Sequence, residues 1–287
     1  MGYLLLAAAL LCSTSSGLLA AVYNRKNATV KNATPVYNLL MSSFALICWG
    51  IRYLVDFSFD PKVLLYSVGF GICYIFATVA QIHALRYGPL SLTSLLYKLS
   101  SIGATIWGFI FWGDKPSLAV IAGLLLVIVS MVTCLYQKNE QHKVSPKWLL
   151  FAILSFLGNT GCTIIQKQQQ LDFDHQHGNM MMFFALIIAT LVCVFLFLQA
   201  RPENPAAIIK TTGYIPAASG VLNMALNLLV ILLTATALPS GLIYPTIGVG
   251  GLIMLSLASR FIFQEKLSTR QWIGMGIGIA AVLLLSL

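Results

Sequence analysis

The sequence predicts an all-α integral membrane protein of ten transmembrane helices, arranged as two inverted five-helix repeats. Three observations carry that prediction. Of the 287 residues, 59% are hydrophobic and only 9% are charged, whereas soluble domains carry about 25% charged residues. Short polar or proline-containing breaks divide the apolar sequence into ten segments, each long enough for a hydrocarbon core about 30 Å thick. Phrases of the first half also recur in the same order in the second.

The ten segments are 2–22, 36–56, 62–85, 89–112, 117–136, 147–167, 179–199, 213–236, 240–262 and 269–287. The first lacks the charged start of a secretory signal and has a counterpart inside the chain, so it reads as a span. No connection is long enough to hold a soluble domain, and any activity has to be built from spans and short loops. All six cysteines (Cys12, Cys48, Cys73, Cys134, Cys162 and Cys193) fall in apolar runs without a CxxC or a histidine-spaced ligand set, which reads as packing thiols. The net charge of +9 is spread over short connections rather than gathered in a patch, so nucleic acid is not an expected partner.

The repeat is read from paired phrases. After Pro89 the fourth segment runs to Trp112-Gly113-Asp114-Lys115, with Gly123 following the acid. After Pro239 the ninth runs to Phe263-Gln264-Glu265-Lys266, with Gly274 at the same offset. Phe44-Ala45-Leu46-Ile47 recurs as Phe184-Ala185-Leu186-Ile187, and Ser16-Gly17 weakly as Thr160-Gly161. The predicted repeats are 1–140 and 141–287. Because each holds an odd number of spans, the second enters the membrane with opposite orientation.

Charge sets the orientation. The odd-numbered connections hold Arg25, Lys26, Lys31, Arg86, Lys138, Lys143, Lys147, Arg201, Lys210, Arg260, Lys266 and Arg270, against Arg52, Lys62, Lys115 and Lys167 in the even ones. The bias places the odd connections in the cytoplasm and both termini outside. Two glycosylation sequons, at Asn27 and Asn32, lie in the first connection and argue the other way. The charge bias is given more weight because sequons are frequent by chance.

Lys98 stands apart from every other basic residue. It lies near the middle of the fourth segment, roughly 13 Å along from Pro89, where a charge costs at least ~2.5 kcal/mol. All eight acids (Asp56, Asp60, Asp114, Glu140, Asp172, Asp174, Glu203 and Glu265) map to connections or helix ends. The lysine therefore has no evident intramembrane counter-ion, which favours an anionic or zwitterionic ligand over a lipophilic cation. Tyr97 is adjacent. Asn159, Thr163 and Gln166 form a stripe on the sixth segment, Asn223 and Asn227 share a face of the eighth, and Tyr244 is near the start of the ninth. The candidate substrate-binding set is Lys98, Tyr97, Asn159, Asn223, Asn227 and Tyr244. Polar residues on membrane helices also serve as interhelical contacts, and His83 reads that way. Gly274, Gly276 and Gly278, and Gly248, Gly250 and Gly251, read as close-packing faces, and Arg260 and Glu265 as solvated loop charges. No phosphate-binding glycine loop, nucleophile elbow, HExxH or kinase signature occurs, so neither a cofactor, a metal nor an enzymatic activity is expected.

FWGDKPSLAVIAG (Phe111 to Gly123) and IFQEKLSTRQWIG (Ile262 to Gly274) resemble the helix-end and helix-start motifs of the drug/metabolite transporter superfamily, in particular its ten-span EamA-type branch. The fourth segment, LLYKLSSIGATIWGFIFWGDKPS, is also similar to that of nucleotide-sugar and sugar-phosphate carriers, where a lysine contacts the ligand phosphate. Only Lys98 matches that pattern, and Gly248 and its neighbours stand where a second basic residue would be. The resemblance implies a secondary transporter of alternating access, with the inner membrane of a bacterium as the expected location. An amino acid or organic acid is the favoured cargo, a sugar phosphate or nucleotide sugar the next. Coupling to protons or to a counter-substrate is consistent with it. The competing readings are an exporter of hydrophobic drugs and a membrane protein without transport activity, such as a lipid-flippase partner.

Overall fold

The computed structural model describes residues 1–87, 90–135, 145–264 and 267–286, and regular structure among them is helical throughout. In chain order the helices are α1 (Gly2–Lys26), α2 (Ala33–Val55), α3 (Val63–Tyr87), α4 (Leu90–Phe111), α5 (Leu118–Leu135), α6 (Pro146–Asp172), α7 (Gly178–Ala200), α8 (Pro205–Thr212), α9 (Tyr214–Thr234), α10 (Ser240–Pro245), α11 (Gly251–Phe263) and α12 (Thr269–Leu285). A five-residue π-helical turn, Thr246–Gly250, joins α10 to α11. Among the described residues, seven helical segments are long and apolar enough to cross a membrane, and Leu96–Phe111, Leu118–Cys134 and Thr269–Leu285 are shorter apolar helices. Pro89, Glu140, Glu265 and Lys266 lie outside the described residues.

Two features differ from the sequence reading. The connection after α7 contains the short helix α8, which starts at Pro205, where proline is tolerated because the first helical N–H has no partner to lose. The ninth segment is not a uniform helix. Pro245 has no N–H to donate into the helical ladder, and the chain relaxes through the π turn immediately after it.

The chain divides into two compact units, Met1–Ile72 with Gln166–Ala235, and Cys73–Ile165 with Thr236–Leu287. In the first, α1 packs on α9, and α2 on α7 and α9. Its core gathers Tyr23, Val36, Tyr37, Ile208 and Ile215. The Tyr23 hydroxyl donates to the Ala33 carbonyl at 2.9 Å, which ties the end of α1 to the start of α2. Asn27 is buried and donates to Tyr23 O (3.0 Å) and Thr212 Oγ1 (3.2 Å). Asn32 donates to Ala200 O at 2.7 Å. Both sequon asparagines thus hold the connection together. Ala45 and Ala185, from the two copies of the phrase FALI, are both buried, and Ala45 faces Gly220 of α9.

In the second unit, α5 and α12 form the most extensive helix pair. Lipid tails are as apolar as leucine, so helix association inside a bilayer relies on close packing and interhelical hydrogen bonds. A Cβ at Gly123 would lie 2.8 Å from Leu285, and one at Gly274 would lie 2.9 Å from the Cys134 backbone N. Each glycine admits the far end of the other helix, and Ser130 Oγ donates to Gly274 O at 2.6 Å beside the crossing. The two motif copies also act alike locally. Gly113 and Gln264 are left-handed (φ 72° and 55°) at the ends of α4 and α11. Four residues on, the Ser117 hydroxyl accepts from Val120 N (3.1 Å) and the Ser268 hydroxyl from Gln271 N (3.3 Å). Gln271 completes a capping box by accepting from Ser268 N at 2.8 Å.

The tightest helix approach in this unit is that of α6 to α3. A Cβ at Gly158 would sit 2.4 Å from Ala77 N and 2.7 Å from Cys73 O, and Ser155 Oγ donates to Ala77 O at 3.0 Å. Gly158→Ala should therefore lower stability in detergent by roughly 1–3 kcal/mol, because the colliding atoms are backbone. Gly276→Ala meets nothing within 4 Å and should be neutral or stabilising by up to ~1 kcal/mol. Thermal denaturation of both variants checks this, and equal melting temperatures would refute the close crossing.

Candidate functional site

The candidate site is built on α4, within the unit Cys73–Ile165 with Thr236–Leu287. Lys98 is eight residues past Leu90, about 12 Å along a 22-residue helix, so the sequence estimate of its depth holds for the described helix. Two faces of α4 diverge at this level. Toward α6, Asn159 Nδ2 donates to Ser100 Oγ at 2.5 Å, Thr160 Oγ1 donates to Ser100 O at 3.1 Å, and Ser100 Oγ donates to Tyr97 O at 2.6 Å. A Cβ at Gly103 would lie 2.7 Å from Thr160 Oγ1. The contact is thus lined with small and hydroxyl residues, as expected where helix backbones approach closely.

The other face presents Lys98, Ser101 and Thr105, at i, i+3 and i+7. Thr105 Oγ1 donates to Ser101 O (3.2 Å) and to Ser240 O (3.4 Å). A Cβ at Gly248 would meet Ser101 Oγ at 2.8 Å. The ninth segment thus runs antiparallel to α4, and its register puts Gly250 and Gly251 near the level of Lys98. Gly248 thus packs closely on α4, with Ser101 Oγ where its Cβ would reach.

Lys98 and its neighbour Tyr97 are half-buried. Among the described residues, no carboxylate, carbonyl or hydroxyl accepts a hydrogen bond from the Lys98 ammonium. Ser101 Oγ satisfies itself on the Lys98 carbonyl at 3.0 Å, a back-bond that turns the hydroxyl toward its own helix.

Tyr244 is buried on α10, packed with α4, and its hydroxyl has no hydrogen-bond partner. By the same register it lies nearer Thr105 than Lys98, about one and a half turns along. Asn223 and Asn227 belong to the other unit, together with Gln166. Asn227 Nδ2 donates to Asn223 O at 2.9 Å, and Gln166 Nε2 to Asn227 O at 3.3 Å. The predicted stripe of Asn159, Thr163 and Gln166 is divided between the units. His83 stacks on Phe151 with ring centroids 5.0 Å apart, an interface contact as read from the sequence. The sequence reading missed Ser100, Ser101 and Thr105. Ser100 and Ser101 follow Lys98-Leu99 in KLSS, and a helix-face projection from Lys98 would have found Ser101 and Thr105.

Residues 1–136 match the EamA-like transporter family. That match covers α1 to α5, and members of the family are membrane transporters. No curated protein matches the chain. One solved crystal structure superposes with a TM-score of 0.76 over 99% of this chain and 95% of its own, at 13% identity, a likeness of fold. Together with the apolar helices, the EamA match makes the chain an integral, multi-pass membrane protein.

The Asn159 to Ser100 hydrogen bond is the hinge of the α4 to α6 contact beside Lys98. A double-mutant cycle of Asn159→Ala and Ser100→Ala should give a coupling of about 0.5–1.5 kcal/mol, the range of interhelical hydrogen bonds in membranes. Denaturation of the four proteins in detergent measures it. Additive effects would mean that the two side chains do not interact in the folded protein.

Proposed function

We propose that the chain is a secondary transporter that moves a small anionic or zwitterionic metabolite, an amino acid or organic acid in preference to a sugar phosphate or nucleotide sugar, by alternating access. The observation that carries this reading is the unpartnered Lys98 ammonium, set mid-helix among described residues that supply no counter-ion. A ligand carboxylate or phosphate supplies the missing charge. Tyr97 borders it, and Asn159, held by Ser100, keeps α4 in position beside it. A cargo that is itself a lipophilic cation would leave Lys98 unanswered and repel it.

The reading includes ten spans in two inverted repeats, 1–140 and 141–287. The seven long helical segments and the three shorter apolar ones correspond one to one with the predicted spans. The helix pairs support the repeat as well. Numbering spans one to ten, span one packs on span eight as span six packs on span three, and span two packs on eight as seven packs on three. The pairs two with seven, four with nine and five with ten map onto themselves. Exchanging each span for its counterpart five along therefore carries these pairs into one another. The same exchange carries Gly123 with Leu285 into Gly274 with Cys134.

Lys98→Ala should abolish binding and transport of the anionic cargo and leave the helical fold intact. The purified protein would be melted against amino acids, organic acids, sugar phosphates, nucleotide sugars and cationic drugs. Occupancy at 100 times the dissociation constant adds roughly 2.7 kcal/mol. A stabilisation by one anionic class that disappears in the variant supports the site. Stabilisation by lipophilic cations that survives the substitution would instead make the protein a drug exporter with a structural lysine.

A further inference from the structure

A second polar site lies in the unit Met1–Ile72 with Gln166–Ala235, remote in sequence from α4. A pocket of about 310 Å³ opens where α2 and α6 end and α7 begins, and aliphatic residues of α9 form one wall. This end carries the even-numbered connections, which the charge bias assigns to the outside. Arg52 and Asp56 sit one helical turn apart at the end of α2, a spacing at which opposite charges ordinarily pair directly. Here they do not. Arg52 Nε donates to Asn179 Oδ1 at 3.1 Å, and Asn179 Nδ2 donates to Asp56 Oδ2 at 2.8 Å. A neutral amide is thus wedged between a cation and an anion and fixes both. Among the described residues, the two Nη groups of Arg52 and Oδ1 of Asp56 take no other partner.

Deeper in the pocket is Gln170, fully buried. Its amide donates to Gln169 Oε1 at 2.5 Å, and Gln169 in turn donates to Gln176 O at 2.8 Å. The Gln170 carbonyl oxygen, however, is buried without a donor, as is Nδ1 of the neighbouring His177. Both atoms are closed off behind the pocket wall, and the charged side chains that face the pocket are Arg52 and Asp56. An anion alone would satisfy Arg52 and oppose Asp56, and a cation alone would do the reverse. A molecule carrying both charges satisfies both. The volume is at the lower end for ligand pockets and suits a molecule of amino-acid size.

We propose that this pocket is a binding site for a small zwitterion such as an amino acid, with its carboxylate on the Arg52 guanidinium and its ammonium on the Asp56 carboxylate. The site goes beyond the Lys98 reading and involves none of the residues named there. It lies at the end of its unit where α2 and α6 end and α7 begins.

The test uses calorimetric titration of the full-length protein in detergent with L-serine, and with propionate and propylamine as the two charged halves. Titrations are run on Lys98→Ala protein, so that the α4 site does not contribute. L-Serine should bind, and adding Arg52→Gln or Asp56→Asn should weaken it about tenfold or more, the usual loss for a charge-assisted hydrogen bond. Each half should bind about tenfold more weakly than the zwitterion. Both positions are exposed at a helix end, and unchanged melting temperatures confirm that the variants fold. Absence of L-serine binding to Lys98→Ala protein, binding indifferent to both substitutions, or propionate binding as well as L-serine would each overturn the proposal. L-Serine binding abolished by Lys98→Ala would overturn it while leaving the transporter reading in place. Binding retained alongside unimpaired anion transport by Lys98→Ala protein would support this site and overturn the Lys98 reading.

Discussion

The scarcity of polar partners in hydrocarbon governs this protein. Inside a bilayer the backbone can be satisfied only by its own helix, and every side-chain hydroxyl or amide must find a neighbour or bond back to its own turn. Most do so here. Ser42, Ser67, Thr105, Ser256 and others return to carbonyls three or four residues earlier, and Asn159, Ser130 and Ser155 reach across to an adjacent helix. Against that background, an ammonium in the middle of α4 with no acceptor among the described residues is a departure. On the neighbouring faces of α4, Gly248 packs closely on Ser101 and Asn159 is pinned to Ser100.

Glycine supplies the means for that packing. Where Gly158 meets α3, and where Gly123 and Gly274 meet opposite ends of the α5 and α12 pair, the neighbour comes within the space a methyl group would take. In water such crossings would be helped by burial of apolar surface. In lipid they depend on dispersion contacts and on hydrogen bonds such as that of Ser130 to Gly274. The same economy of side chains produces the break in the ninth segment, where Pro245 and the following glycines give a π turn rather than a regular helix. π turns are frequent at functional sites, and this one faces the stripe that contains Lys98.

The two polar regions differ in character. Lys98 is a single half-buried charge in the middle of α4 with no acceptor among the described residues. Around Arg52 and Asp56, opposite charges are held apart by Asn179. The first arrangement underlies the proposed anionic cargo, and the second the proposed zwitterion site.

Local chemistry was sufficient for much of this. Apolar runs and their breaks located the helices to within a few residues, because a span must be long, apolar and ended by something polar or unable to continue. The depth of Lys98 followed from the rise of a helix, and the paired motifs turned out to be the same device twice, a left-handed helix end followed by a serine cap. Tertiary structure decided what lies beyond one helix. The partner of Asn159 is 59 residues away at Ser100, and Asn179, which separates Arg52 from Asp56, is 127 residues from the arginine. Asn223 and Asn227 share a face as their spacing requires, but which residue completes that face, Gln166 from 61 residues earlier, depends on how the helices pair. Sequence spacing reports neighbours within a turn or two. Pairing across a chain is set by which surfaces fit closely enough to hold in a solvent that offers no polar contact of its own.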